Sequence, residues 1–475
     1  MIKGATLPEM CYFPTPNRLF APLPIAFYIF ISLLNFAQPS PPPRPNILLI
    51  LLDDAGYRDL SCYGSDIQTP YIDRLASEGM RFVDAHSAAP NCSPSRAGLL
   101  TGRMPSRVGL YSYIPPKHEM RLPASERTLA AHLKDIGYRT GHFGKWHLSQ
   151  LQTDQPQPHD FGFDTSLGTD NNAAPNHRNP TNFIRDGQAL GELSGYSCHI
   201  VADAAIEWME TDPETPFFAC VWFHEPHSPI ASPEFLTEAY AQRHPDISGK
   251  RARYMANIAN LDAAVGRLSE ALASTGIEDN TLVFLTSDNG PVDPASRGSL
   301  RGKKAAVYEG GHRVPAIARW PGVIPADASS EALISGTDFL PTILDLLEEP
   351  QPTDRIIDGE SFLPALRGQS WSRTKPLYWF FYRVQPAAAY REGPWTLIAD
   401  IDDPLAKRTH QLIPEDMPLI KEAPLTRFSL YRLDRDLQQS ADLAGTEPQR
   451  LREMRGRMEA LHSEIVAEGP YWWRD

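Results

Sequence analysis

Cysteine is scarce in this chain: five residues in 475, at positions 11, 62, 92, 198 and 220, with no short paired spacing. That excludes a disulfide scaffold and offers no zinc-type ligand set. If Cys92 has another task, one disulfide at most remains beyond Cys11. Nor is there an excess of positive charge. Lys plus Arg number 45 against 58 Asp plus Glu, a net charge of −13, which argues against a partner held by bulk attraction to nucleic acid. A local cationic pocket can still sit inside an acidic protein. No segment repeats at a fixed period, so solenoids and propellers are unsupported. Charged residues are 22% and hydrophobic residues 42%, a balance that can bury a sizeable core and is not that of a disordered chain. The length fits one large domain with a smaller appendage.

Long apolar runs are missing except for one, Leu19 to Ala37, with no charge between Arg18 and Arg44. Pro22 and Pro24 shorten its helical part to the size of a signal-peptide core, below the roughly 20 residues a membrane span needs. Residues 1–37 are read as a signal peptide with Ala37 at the cleavage point, and 38–45 as an extended Pro-rich linker. The leader is long and carries Glu9, which leaves room for a later start codon; a retained membrane anchor is the alternative. The expectation is a secreted or periplasmic protein with no stable membrane span in the mature chain.

Several short apolar runs end abruptly in polar residues. Asn46 to Leu52 ends in Asp53-Asp54-Ala-Gly56, and Thr281 to Leu285 ends in Thr-Ser-Asp288-Asn289-Gly290. Pro216 to Phe223 ends in His224-Glu-Pro-His227-Ser-Pro229, and Tyr138 to Phe143 runs into Gly-Lys145-Trp-His147. Apolar runs without period-two alternation fit strands buried on both faces, as in parallel sheets. Helices are expected between them: 69–79, opened by Thr69-Pro70, 125–136, and an amphipathic stretch at 251–274. Strands alternating with helices mean an α/β domain, whose ligands gather where parallel strands end. All four polar clusters lie at such ends and can meet in one cleft. After about residue 360, short aromatic or β-branched strands near 376–382, 388–391, 395–398 and 429–432 precede a helix at 447–466. The expected division is a catalytic domain at 46–360 and a small antiparallel sheet plus helix at 361–475.

Adjacent carboxylates at a buried strand end repel unless a cation neutralises them. Asp53-Asp54 with Asp288-Asn289 form a hard-oxygen set suited to Ca²⁺ or Mg²⁺ rather than zinc. Either dipeptide alone is ordinary turn or cap chemistry; two of them, each ending an apolar strand, are more informative.

The segment Cys92-Ser-Pro-Ser-Arg-Ala-Gly-Leu-Leu-Thr-Gly102 resembles the signature of the type I, formylglycine-dependent sulfatases, arylsulfatase-like members of the alkaline-phosphatase superfamily. The resemblance continues, in order, through Asp53-Asp54-x-Gly56, Gly144-Lys145-Trp146-His147, Pro226-His227-x-Pro229, Asp288-Asn289-Gly290 and Gly302-Lys-Lys304 to Glu309-Gly-Gly311. It implies a large, mainly parallel mixed sheet flanked by helices. It also implies hydrolysis of a sulfate monoester; the secretion signal and a polar insert near 170–178 favour a sulfated carbohydrate or polysaccharide fragment over a small aryl sulfate as the substrate. Cys92 would be oxidised to formylglycine (3-oxoalanine) by a separate maturation enzyme, and its hydrate would supply two hydroxyls. A helix beginning near Pro94 would set Cys92 at its partly positive end.

By the same resemblance Asp53, Asp54, Asp288, Asn289 and the modified Cys92 hold one Ca²⁺ per chain, and Asp288 helps deprotonate the attacking hydroxyl. Arg96 holds the nucleophile and the carboxylates; Lys145 and Lys304 neutralise the sulfate. His147 takes a proton during sulfate release, and His227 protonates the leaving alcohol. His227 is preferred to His224 because it occupies the Pro-His-x-Pro position, and Lys304 to Lys303 from the spacing to Glu309. Asp170-Asn-Asn172 and His177-Arg178 lie in a polar insert that either reads substrate or is ordinary surface; Tyr111, Arg301 and His312 are comparable candidates. Two alternatives remain: a phosphodiester or phosphonate monoester hydrolase of the same superfamily, and a non-catalytic binding protein on a dead sulfatase fold.

Overall fold

The computed structural model describes residues 44–383, 386–402 and 411–473. The expected leader, with Cys11, and residues 38–43 of the linker lie outside the described residues. Asn46–Leu52 forms a strand buried along its whole length, with parallel neighbours Phe217–Trp222 and Thr281–Ser287 on its two sides. Ile47, Leu49 and Leu51 enter one hydrophobic core, whereas Leu48, Ile50 and Leu52 enter another. Both faces of the strand are therefore covered, which is why its sequence shows no polar alternation.

The ten-stranded sheet of the described residues continues outward from this centre. On one side Arg139–Lys145 and Thr165–Thr169 extend the parallel set beyond Phe217–Trp222. On the other, Ala316–Arg319 runs antiparallel between Thr281–Ser287 and Met80–Phe82. A four-stranded antiparallel sheet follows later in the chain: Leu377–Phe381, Ala387–Glu392, Trp395–Ile401 and Leu425–Arg432. The helix Pro448–Glu468 comes after it. Among the described residues no helix is long and apolar enough to cross a membrane. Cys62, Cys92, Cys198 and Cys220 are free thiols.

Helix boundaries depart from the sequence reading where tertiary groups do the capping. The first expected helix spans Pro70–Ser77, but the Thr69 side chain does not cap it. Instead the Asp262 carboxylate, from the long helix Gly249–Ser274, accepts from the Tyr71 and Ile72 amides at 3.2 and 2.8 Å. The helix expected at 125–136 is confined to Leu129–Asp135, because the Thr128 hydroxyl accepts from the Ala131 amide and sets its start. The motif helix begins at Cys92 and runs to Thr101, two residues earlier than expected. Pro94 falls in the first turn, where a missing N–H costs nothing.

The two sheets are joined by buried charge. Arg391 of the small sheet and Arg313 of the large domain each reach Asp84 at 2.6 Å, and Arg313 also holds Glu309 at 2.7 Å. Beside them the Trp379 ring stacks on His312 with centroids 3.9 Å apart, and its indole N–H donates to the Ser87 carbonyl.

Candidate active site

The three central parallel strands and Arg139–Lys145 end on the same side, and their exits converge. Asp53 and Asp54 leave the first strand; the Asp53 amide donates to the Glu225 carbonyl and the Asp288 amide to the Leu52 carbonyl. These backbone bonds lock the loops after three separate strands to one another. Gly144 has φ of 112°, and a Cβ there would lie 1.8 Å from the Trp222 carbonyl oxygen. Only glycine lets the strand that delivers Lys145 press this closely on its neighbour.

The charged groups form an interlocked set. Lys145 Nζ reaches Asp53 Oδ2 at 2.7 Å, and Lys304 Nζ reaches Asp54 Oδ1 at 2.7 Å. Arg96, fully buried, donates from Nε and Nη2 to Asp288 Oδ2 at 3.0 and 2.7 Å and from Nη1 to the Lys145 carbonyl. The Asn289 amide nitrogen donates to Asp54 Oδ1 at 2.7 Å. Cys92 Sγ lies 3.7 Å from Asp53 Oδ1, on the first turn of its helix. His227 Nε2 stands 3.6 Å from Asp54 at the partly exposed mouth. Asp54, His147 and Ala305 all have φ between 56° and 70°, a conformation costing non-glycine residues about 1–3 kcal/mol each.

Burial works on every titratable group here. It pushes the Asp53 carboxyl up, but Lys145, with His227, Arg96 and Lys304 behind it, more than reverses this and holds Asp53 well below the usual carboxylate range. Asp288 is raised by burial and by the neighbouring Asp53 charge. Burial lifts the Cys92 thiol to about 12, so an unmodified thiol would stay protonated and unreactive at neutral pH. His147 is held neutral by burial and by Lys145. Its Nε2 faces the Ile114 carbonyl at 2.9 Å, and a carbonyl only accepts, so the proton sits on Nε2. Nδ1 is then a bare lone pair, buried without a partner among the described residues.

All the site residues expected from sequence meet here. The unresolved pairs separate as well: His224 is buried with Nε2 against the Thr169 hydroxyl, whereas His227 faces Asp54. Lys303 is exposed, whereas Lys304 bonds Asp54. Of the weaker candidates, Asn172 is inside the site, its Oδ1 3.4 Å from Lys145 Nζ. Tyr111 donates to the Pro470 carbonyl, and His177 is buried against Asn257.

Asp53, Asp54, Cys92 and His227 present ligand atoms all within 4.8 Å of one another, a cluster able to hold a metal ion. Asn289 Oδ1 is buried with no partner among the described residues. A buried amide oxygen left unpaired beside two carboxylates is the donor chemistry of a hard divalent cation such as calcium.

A family model described as Sulfatase matches residues 45–349. The chain belongs to the sulfatase family. It is accordingly a sulfuric ester hydrolase. A second model, described as N-sulphoglucosamine sulphohydrolase, C-terminal, matches residues 302–397. The N-acetylgalactosamine-6-sulfatase of Mus musculus is 35% identical over 411 residues, which cover 78% of this chain and 75% of that protein. The steryl-sulfatase of Rattus norvegicus is 32% identical over 448 residues, covering 73% and 74%. Among solved structures, Ps i-CgsB in complex with k-i-k-neocarrahexaose superposes with a TM-score of 0.77 at 25% identity, covering 90% of this chain and 94% of that one. The mixed sheet with a small C-terminal antiparallel sheet is thus the sulfatase fold.

Proposed function

We propose that this sulfatase acts on a sulfated carbohydrate, using formylglycine formed from Cys92 and a single Ca²⁺. The observation that carries the reading is the meeting of Cys92 with carboxylates from two distant strand ends, flanked by Lys145 and Lys304. The similarity to an N-acetylgalactosamine-6-sulfatase and to a structure holding a carrageenan-type oligosaccharide supports the carbohydrate.

Asp53, Asp54, Asp288 and Asn289, with the modified Cys92, would hold the calcium. Bound there, the ion supplies Lewis-acid polarisation of the sulfate and lowers the pKa of the attacking hydroxyl. Oxidation of Cys92 to the aldehyde, by a dedicated maturation enzyme, gives a hydrate with one hydroxyl to attack sulfur and a second to expel sulfate. Arg96 fixes Asp288 and the strand end carrying Lys145, so the nucleophile, the base and the cation keep their spacing. Asp288, raised above an ordinary carboxyl, is suited to take the proton of the attacking hydroxyl. Lys145 and Lys304 face the charge that grows on the sulfate oxygens. The bare Nδ1 of His147 is the lone pair that receives the second hydroxyl's proton. His227, at the mouth, would protonate the leaving alcohol. Burial lowers its pKa to about 4, so it would have to gain its proton with the substrate bound.

Residues 1–37 act in this reading as a secretion signal, delivering the enzyme outside the cytoplasm. The decisive experiment is peptide mass analysis across Cys92, which should show the aldehyde or its hydrate, together with turnover of 4-methylumbelliferyl sulfate by wild type and Cys92→Ala. An unmodified thiol in active enzyme, or full activity in the alanine variant, removes this nucleophile. Faster hydrolysis of a phosphodiester than of any sulfate ester would move the preference to phosphorus.

A further inference from the structure

Immediately beyond Lys304 lies a cavity of about 1070 Å³, walled by the loop 294–308 and by residues of the small antiparallel sheet. Its position is fixed by the same turn that delivers Lys304 to Asp54. The Lys304 amide donates to the Pro291 carbonyl and the Ala305 amide to the Pro90 carbonyl, two residues before Cys92. Lys304 points into the reaction centre, and its neighbours Lys303 and Ala305 line the cavity. The cavity therefore begins one residue, about 3.8 Å of backbone, from a catalytic cation.

The charge on its wall is unbalanced. Asp400 and Asp402 are both answered by Arg427, at 2.9 and 3.8 Å. Arg297, Arg301 and Lys303 line the same space, and among the described residues none of them has a carboxylate within ion-pair distance. Arg301 is held in place from one end only: Nη1 donates to the Tyr431 hydroxyl at 3.0 Å and to the Gln439 carbonyl at 2.9 Å, with its guanidinium 4.0 Å over the Tyr308 ring. Arg297 donates from Nη1 to the Gly302 carbonyl, while its Nε is buried with no partner among the described residues. In a chain of net charge −13, three cations without acid partners beside the active site, one carrying a buried unpaired donor, await an anion supplied from outside.

We propose that Arg297, Arg301 and Lys303 form a subsite for a second anionic group, a sulfate or carboxylate on the sugar next to the one being desulfated. This rests on the carbohydrate reading above and narrows it: the substrate is a polyanionic oligosaccharide rather than an isolated monosulfated sugar. A planar guanidinium and a mobile ammonium suit the oxygens of either group.

The test is calorimetric titration of the calcium-loaded chain, in a Cys92→Ala background that prevents turnover, with a carrageenan-derived hexasaccharide carrying several sulfates. The expected result is binding that weakens as salt rises, loss of binding with the desulfated hexasaccharide, and about tenfold weaker binding on Lys303→Ala or Arg301→Ala. Lys303 is exposed and makes no side-chain bond among the described residues, so its variant should keep the parent melting temperature and gives a clean reading even if Arg301→Ala loosens the Tyr431 contact. Unchanged affinity in Lys303→Ala and Arg301→Ala, equal binding of the desulfated sugar, or no binding by the parent chain overturns the subsite. Turnover of 4-methylumbelliferyl sulfate by the matured enzyme is scored separately. Its absence would sink the catalytic reading while the calorimetric outcome still decides the subsite.

Discussion

Asn172 Oδ1 lies 3.4 Å from Lys145 Nζ, while its amide nitrogen donates to the Ser228 carbonyl at 3.2 Å. One side chain thus ties the buried Lys145 ammonium to the turn carrying His227. Asn172→Ala should lower kcat on an aryl sulfate by about tenfold, with less change in KM, because the two groups lose their common reference rather than their chemistry. Asn172→Asp, which keeps the acceptor, should recover part of the loss. Equal kcat in wild type and the alanine variant would assign Asn172 to the loop alone.

Arg96 is enclosed by Asp288 and Asp53 with no solvent contact. Arg96→Ala leaves buried carboxylates facing each other and should cost about 3–5 kcal/mol in urea unfolding. Arg96→Lys keeps the charge but loses the paired donors and should fall between the two.

Removal of calcium with a chelator should lower the melting temperature as well as turnover, since an ion bound only by the native state stabilises it by mass action. Readdition of Ca²⁺ should restore both, and Asn289→Ala should shrink the thermal response more than it shrinks stability in chelator. A melting curve indifferent to calcium would count against the oxygen set.

Glu309 provides a pH signature away from the reaction centre. Burial pushes its carboxyl up, but Arg313, followed by His86 and Arg391, brings it down to about 2. A carboxyl depressed by folding adds stability above its unfolded value and loses it as pH falls through the folded one. Between about pH 4.5 and 2 the urea midpoint of the wild type should therefore fall, and Glu309→Gln should be less stable at neutral pH but show a shallower fall.

Much of the chemistry could be read along the chain because each cluster follows an uninterrupted apolar run, and parallel strands present their ends together. The strands at 46–52 and 281–285 are legible as uninterrupted apolar runs, the second extending to Ser287 in the structure, and the motif helix from its Pro-Ser-Arg segment. Hidden were features that depend on contacts between distant segments. Asp262 caps the Pro70–Ser77 helix from some 190 residues away, and no local pattern announces that. Asn172 sits in a polar loop indistinguishable by composition from surface, and only the fold brings it to Lys145. The left-handed φ of His147 has no sequence mark because the residue is not glycine. The insertion of Ala316–Arg319 antiparallel beside Thr281–Ser287 is equally silent, since buried strands of either direction look alike.

Every residue from Cys92 to Thr101 is enclosed, and the thiol at the start of that helix is out of reach of anything larger than a small ligand. If Cys92 is converted to formylglycine as proposed, this enclosure leaves no room for an enzyme to reach it on the folded chain, and the conversion would have to precede burial.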